Sequence, residues 1–136
     1  MFVHNPPSMF IRSAIKAFSL GAGLLGLAAA GCGSGGVDDR PARWSFIAPA
    51  IIEPSCATAS CHSDIAQKAG VDLSDKVVGY NALVPRHFVI PSNVAQSELV
   101  YLLRAQGARR MPPDFVLPEE DILLIQKWIM AGAMND

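Results

Sequence analysis

Two thiols and an imidazole crowd into the segment Cys56-Ala57-Thr58-Ala59-Ser60-Cys61-His62, and no other stretch limits the fold as tightly. Both sulfurs and the ring end up close together, so the rest of the chain has to build around whatever they hold. Fixing a haem covalently needs this set, with each thiol adding across a vinyl group while the imidazole ligates the iron. The usual attachment motif has two residues between its cysteines, whereas this one has four. A short-loop disulfide or half of a zinc site uses the same residue types, and the heptapeptide alone leaves all three readings open.

Cysteine arithmetic narrows the choice. The chain of 136 residues has three cysteines and room for one domain at most. Arg12 and Lys16 precede an apolar run from Ala17 to Gly31 that carries no charge, and Ala29-Ala30-Gly31 leads into Cys32 with small residues. This resembles the lipobox of bacterial lipoproteins, with Ala29 standing where leucine is commonest. The resemblance implies that residues 1–31 are a signal peptide and that Cys32 becomes the lipidated N-terminus. The protein would then be exported and lipid-anchored at a bacterial membrane facing the periplasm or the cell surface. A plain secretory signal is the simpler alternative, and a spanning anchor needs ~20 apolar residues, more than this run offers. One lipid site plus two thioethers accounts for all three cysteines, whereas one disulfide would leave an odd thiol in an exported protein.

From Cys32 onward the chain carries nine Lys or Arg against twelve Asp or Glu, so no nucleic-acid partner is expected. Residues 32–42, rich in glycine and small polar residues, read as a flexible tether. Residues 43–136 read as an all-α domain of about four to five short helices. Trp44, Ile47, Ile51 and Ile52 recur at helical spacing, with Pro49 limiting that first helix to short turns and Pro54 ending it. Ser60 caps the turn that follows, and a short helix through Ile65 to Lys68 stops at Gly70. Ser74 or Asp75 caps a third helix to Leu83, with Val77, Tyr80 and Leu83 inward. An Asn93/Gln96 capping box opens a fourth helix to about Gln106, where Leu99, Leu102 and Leu103 share a face. The fifth helix starts with Pro118 at its first position, places Glu119, Glu120 and Asp121 at the positive end of its dipole, and ends before Gly132.

An iron held by one histidine has a second axial position to fill, and Met111 in Arg109-Arg110-Met111-Pro112-Pro113 is the candidate. Two prolines stiffen the loop, so less ordering entropy is lost when a weak thioether ligand binds. His87, in the loop from Pro85 to Asn93, is the rival for that position. Arg109 and Arg110 neutralise haem propionates, present a docking patch, or are solvated charges. Trp128 is expected to be core, packing on the first helix or on a haem plane.

With these pieces in order, the chain resembles the small monohaem c-type cytochromes, especially the bacterial group with a widened attachment loop. Cys-x4-Cys-His, then Met-Pro-Pro, then a terminal helix reading Leu124-Ile125-Gln126-Lys127-Trp128-Ile129-Met130-Ala131-Gly132-Ala133 carry the likeness, which covers Trp44 to Ala133. The resemblance implies that Cys56 and Cys61 hold one haem c, that His62 and Met111 are its axial ligands, and that the first and last helices cross beside the attachment site. It also implies electron transfer with redox partner proteins rather than enzymatic turnover. A haem-based sensor in which Met111 dissociates, and a haem-free lipoprotein with a Cys56–Cys61 disulfide or a zinc site, are the competing readings.

Overall fold

The computed structural model describes residues 38–136. The expected signal peptide, the expected lipidation site Cys32 and the first part of the expected tether lie outside the described residues. The remainder is all-helical, and the nearest thing to a strand among the described residues is a single bridge between Ile90 and Asn93. None of the described helices is long and apolar enough to cross a membrane.

The first helix runs straight through both prolines that were expected to break it. Helix α1 (Trp44–Ile47) passes into a π-helical turn (Ala48–Ile52) and then into α2 (Glu53–Cys56). A proline removes one N–H from the helical ladder, and the chain here answers by widening a turn. The Glu53 amide donates to the carbonyl of Ala48, five residues back. Pro54 then falls in the first turn of α2, where a missing donor costs little. Trp44, Ile47, Ala48, Ile51 and Ile52 are all buried, and the helix delivers the chain to Cys56, a helical rise of about 18 Å from Trp44.

The short helix expected through Ile65 to Lys68 does not form. Turns fill this stretch up to a single 3-10 turn, Lys68–Gly70. Gln67 (φ 37°) and Ala69 (φ 56°) take left-handed backbone, and the Lys68 amide reaches back to Cys61 O at 3.0 Å. Ile65 is 89% exposed, so the segment has no apolar stripe whose burial would favour a helix.

Helix α3 (Lys76–Leu83) is capped by Asp75, whose carboxylate accepts from the amides of Val77 (2.7 Å) and Val78 (3.0 Å). Val77 is 55% exposed rather than inward; the buried face is Gly79, Ala82 and Leu83. The bare backbone at Gly79 is what the indole of Trp44 lies against. Asp75→Ala is expected to cost about 1 kcal/mol, read as a lower denaturant midpoint with an unchanged slope.

Helix α4 (Glu98–Arg104) starts one turn later and stops sooner than the sequence suggests. Asn93 Oδ1 does accept the Gln96 amide at 3.1 Å, but that closes a separate turn. Ser97 occupies the cap position, and its buried hydroxyl accepts from the Ile90 amide (2.9 Å) and donates to Asn93 O (2.7 Å). Extended backbone at Ala105 ends the helix before a 3-10 turn at Gly107–Arg109. Helix α5 (Glu119–Met130) has Pro118 just outside its first turn rather than within it, and buries Ile122, Leu124, Ile125, Trp128 and Ile129. The Arg40 guanidinium joins Asp38 and Asp121, fixing the chain ahead of α1 onto the first turn of α5.

An aromatic cluster closes the core. Trp44 stacks on Trp128 with centroids 5.0 Å apart and planes at 27°, while Tyr80 meets them edge-on at 6.1 and 6.5 Å. Each polar tip is satisfied by a carbonyl: Trp44 Nε1–H by Lys76 (2.7 Å), Trp128 Nε1–H by Met134 (2.9 Å) and the Tyr80 hydroxyl by Ala133 (2.9 Å). Trp128 therefore packs on the first helix, the first of its two expected surfaces. Because α1 meets α5 at Trp44, this contact lies a helix length from Cys56 rather than beside it.

Candidate functional site

The long first helix ends at Cys56, and the turns after it fold back so that Cys61 and His62 return to the same place. The His62 amide donates to Cys56 O at 3.1 Å, the Cys61 amide to Thr58 O at 2.8 Å, and the Leu73 amide to His62 O at 2.8 Å. Four residues between the cysteines thus form a closed loop rather than an open one. The widened spacing is absorbed by the turn at Thr58 to Cys61.

The imidazole is oriented as well as placed. His62 Nδ1 lies 3.2 Å from Val71 O. A carbonyl only accepts, so Nδ1 is the donor, and in the neutral ring Nε2 is the nitrogen that keeps its lone pair. A backbone acceptor on the far nitrogen is how ligating histidines are usually held in the right tautomer.

Met111 arrives from the other end of the domain. Its amide donates to Leu102 O at 3.0 Å, which pins the methionine loop to the last turn of α4. Arg110 Nη2–H donates to Pro113 O at 2.9 Å, and its Nε–H to Pro112 O at 3.4 Å.

These two segments line one cleft. Cys56, Cys61, His62, Met111, Pro112 and Pro113 share it with Val71, Leu73, Leu83, Phe88, Leu99, Leu102 and Leu103, and it holds about 1020 Å³ of atom-free space, its open mouth included. The walls are almost wholly apolar. Among the described residues that line it, Lys68 is the only one with a formally charged side chain. His87, the rival to Met111, is exposed at φ 64° and is not among the lining residues. Arg109 lies over the ring of Tyr101, 5.1 Å from its centroid.

Both cysteines are free thiols, and their environments differ. Burial pushes the Cys56 thiol up to about 11, with charge on Cys61 adding to the shift. Hydrogen bonding from Thr58, and from Ser60 with Oγ 3.7 Å from the sulfur, holds the Cys61 thiol below its ordinary value. The thiolate is the reactive form, so in haem-free protein near neutral pH iodoacetamide should label Cys61 well before Cys56. Peptide mass mapping of a time course would give the order.

Comparison with known protein families, with curated proteins and with solved structures gave no match. The site has to be read from its own chemistry. Among the described residues no three His, Cys, Asp or Glu side chains converge as a group able to hold a metal ion.

Several site residues escape sequence reasoning. Val71, which supplies the acceptor for His62, carries no side-chain signal for that role because only its backbone acts. The leucines of α4 were legible as one apolar face, but not as the wall of a cleft. From sequence, Arg110 fits a propionate partner, a docking charge or a solvated one; its contacts to two proline carbonyls are a different use.

Proposed function

We propose that the domain binds one haem c covalently through Cys56 and Cys61, with His62 and Met111 as axial ligands, and serves as an electron-transfer protein. The observation that carries this reading is that a single apolar cleft gathers these four residues from segments about fifty positions apart in sequence. When bound, a haem supplies one-electron exchange at its iron, and the porphyrin brings four nitrogens of its own, so the chain needs to provide only axial donors.

The residues present suit that task. His62 offers Nε2 with its tautomer fixed by Val71 O. Met111 offers a soft sulfur from a loop held on both sides, which offsets the weakness of a thioether and favours the reduced metal. Leucine and valine side chains keep the cleft at low polarity, which penalises the extra charge of the oxidised state. With both axial positions taken by side chains, substrate has no route to the metal, so outer-sphere electron exchange with redox partner proteins is proposed rather than enzymatic turnover. Lipidation at Cys32 and export would hold the domain at a membrane surface on the tether of residues 32–42. The acidic excess argues against nucleic acid as a partner.

The test is the oxidised protein's optical spectrum. The weak red sulfur-to-iron band should be present in the wild type, lost in Met111→Ala and retained in His87→Ala. Persistence of the band in Met111→Ala, or its absence from the wild type, would contradict the proposed ligation.

A further inference from the structure

Arg110 is half-buried and spends its guanidinium on the loop it belongs to rather than on a carboxylate. Pro112 and Pro113 bring carbonyl acceptors but no amide donors, so donors for their carbonyls have to come from other residues. Arg110 supplies the donors, reaching Pro113 O at 2.9 Å and Pro112 O at 3.4 Å, while its own amide is tied to Gly107 O at 3.1 Å. On the other side, Leu102 O accepts the Met111 amide at 3.0 Å. The methionine is therefore bracketed: α4 holds the chain entering it and a cationic donor holds the two residues leaving it. Arg109, its neighbour, lies over Tyr101 and takes no part in this bracket.

We infer that Arg110 is a positioning residue for Met111, setting how firmly the thioether stays on the metal; this rests on the axial assignment proposed above. A thioether binds iron weakly, so its occupancy depends on how much of the ordering is already done by the loop. Charge-assisted hydrogen bonds to two successive carbonyls restrict the segment that would have to swing for the sulfur to leave. Removing the donors while keeping the aliphatic stem releases that restriction without opening a large hole.

The experiment titrates imidazole into the oxidised, haem-loaded protein and follows the loss of the red sulfur-to-iron band. Arg110→Met is expected to bind imidazole on the order of tenfold more tightly than the wild type, as the loss of one charge-assisted bond would give. Arg110→Lys should fall between the two, and Arg109→Met should match the wild type. If Arg110→Met lowers thermal stability but leaves the imidazole affinity at the wild-type value, the residue is structural only and the inference is overturned. Equal tightening in Arg109→Met would also overturn it, since a general charge effect would then suffice. A wild type that carries covalent haem but lacks the band would remove the axial assignment itself, a failure distinguishable from that of Arg110.

Discussion

Trp128→Ala is expected to destabilise the domain by roughly 3–5 kcal/mol, the usual range for truncating a buried aromatic. The indole is 2% exposed, stacks on Trp44 at 5.0 Å, meets Tyr80 edge-on and donates to Met134 O. Alanine removes the stacking partner from Trp44 and the donor from the C-terminal turn at once, so the loss combines cavity, aromatic pair and hydrogen bond. Domains of this size have about 5–15 kcal/mol in total, so a large share of the stability goes with one side chain. In thermal terms the midpoint should fall by well over 10 °C, at about 4–8 °C per kcal/mol. Trp128→Phe keeps a ring but not the N–H, and should recover more than half of the loss. Calorimetry on the three proteins checks both statements; a shift of only a few degrees in Trp128→Ala would mean that the aromatic cluster does not hold α1 to α5.

The second large effect concerns the thiols. In the double variant Cys56→Ser, Cys61→Ser, covalent haem attachment should fall to nothing, because both sulfurs that could add to a vinyl group are gone. Each single variant should retain one bond. Cys56 sits at the C-terminal end of a continuous helix, whereas Cys61 stands on the turn that closes back onto it. Cys61→Ser therefore leaves the helix-anchored bond in place and should give the better-ordered of the two single-bond forms. The apolar cleft links this chemistry to stability. A haem that binds the folded cleft and not the unfolded chain stabilises the fold by mass action, so a protein lacking haem should melt at lower temperature than the loaded one. Haem-stained denaturing gels separate covalent from non-covalent cofactor, and melting curves of loaded and unloaded protein measure the coupling. Covalent haem persisting in the double variant would rule out these thiols as the attachment points.

The parts of the fold that sequence made legible are those in which one local signal was strong. Helix α5 has acidic residues at its start, a glycine after its end and an apolar stripe between, and it forms where those signals put it. Asp75 caps α3 because its carboxylate has no better partner than the amides two and three residues on. What sequence hid were choices between competing uses of a residue. Pro49 and Pro54 are helix breakers by local chemistry, but burial of Trp44, Ile47, Ile51 and Ile52 on one side favours continuing the helix, and a π-turn costs less than breaking it. Val77 fits an inward stripe by spacing, yet the large ring of Trp44 fills the space against Gly79 and turns that stripe outward.

At the site, the four chemically distinctive residues of the cleft were legible, and its apolar walls and its tuning were not. Cys56, Cys61, His62 and Met111 have distinctive chemistry, and the structure gathers them along one surface. His87 shares that chemistry but stays outside, because its loop is held down elsewhere: Val89 is fully buried and the Ser92 amide donates to Ile129 O on α5. The Val71 carbonyl and the Arg110 guanidinium act through backbone geometry, which no residue pattern encodes.

The most direct measurement is the mass of the intact, denatured protein purified from the cells that make it, read alongside its pyridine-treated reduced spectrum. The mass is expected to exceed that of the signal-cleaved, lipidated chain by one haem that survives denaturation, with a spectrum typical of two thioether links. A mass without that haem increment, or one lower by the two hydrogens of a Cys56–Cys61 disulfide, would contradict the proposal.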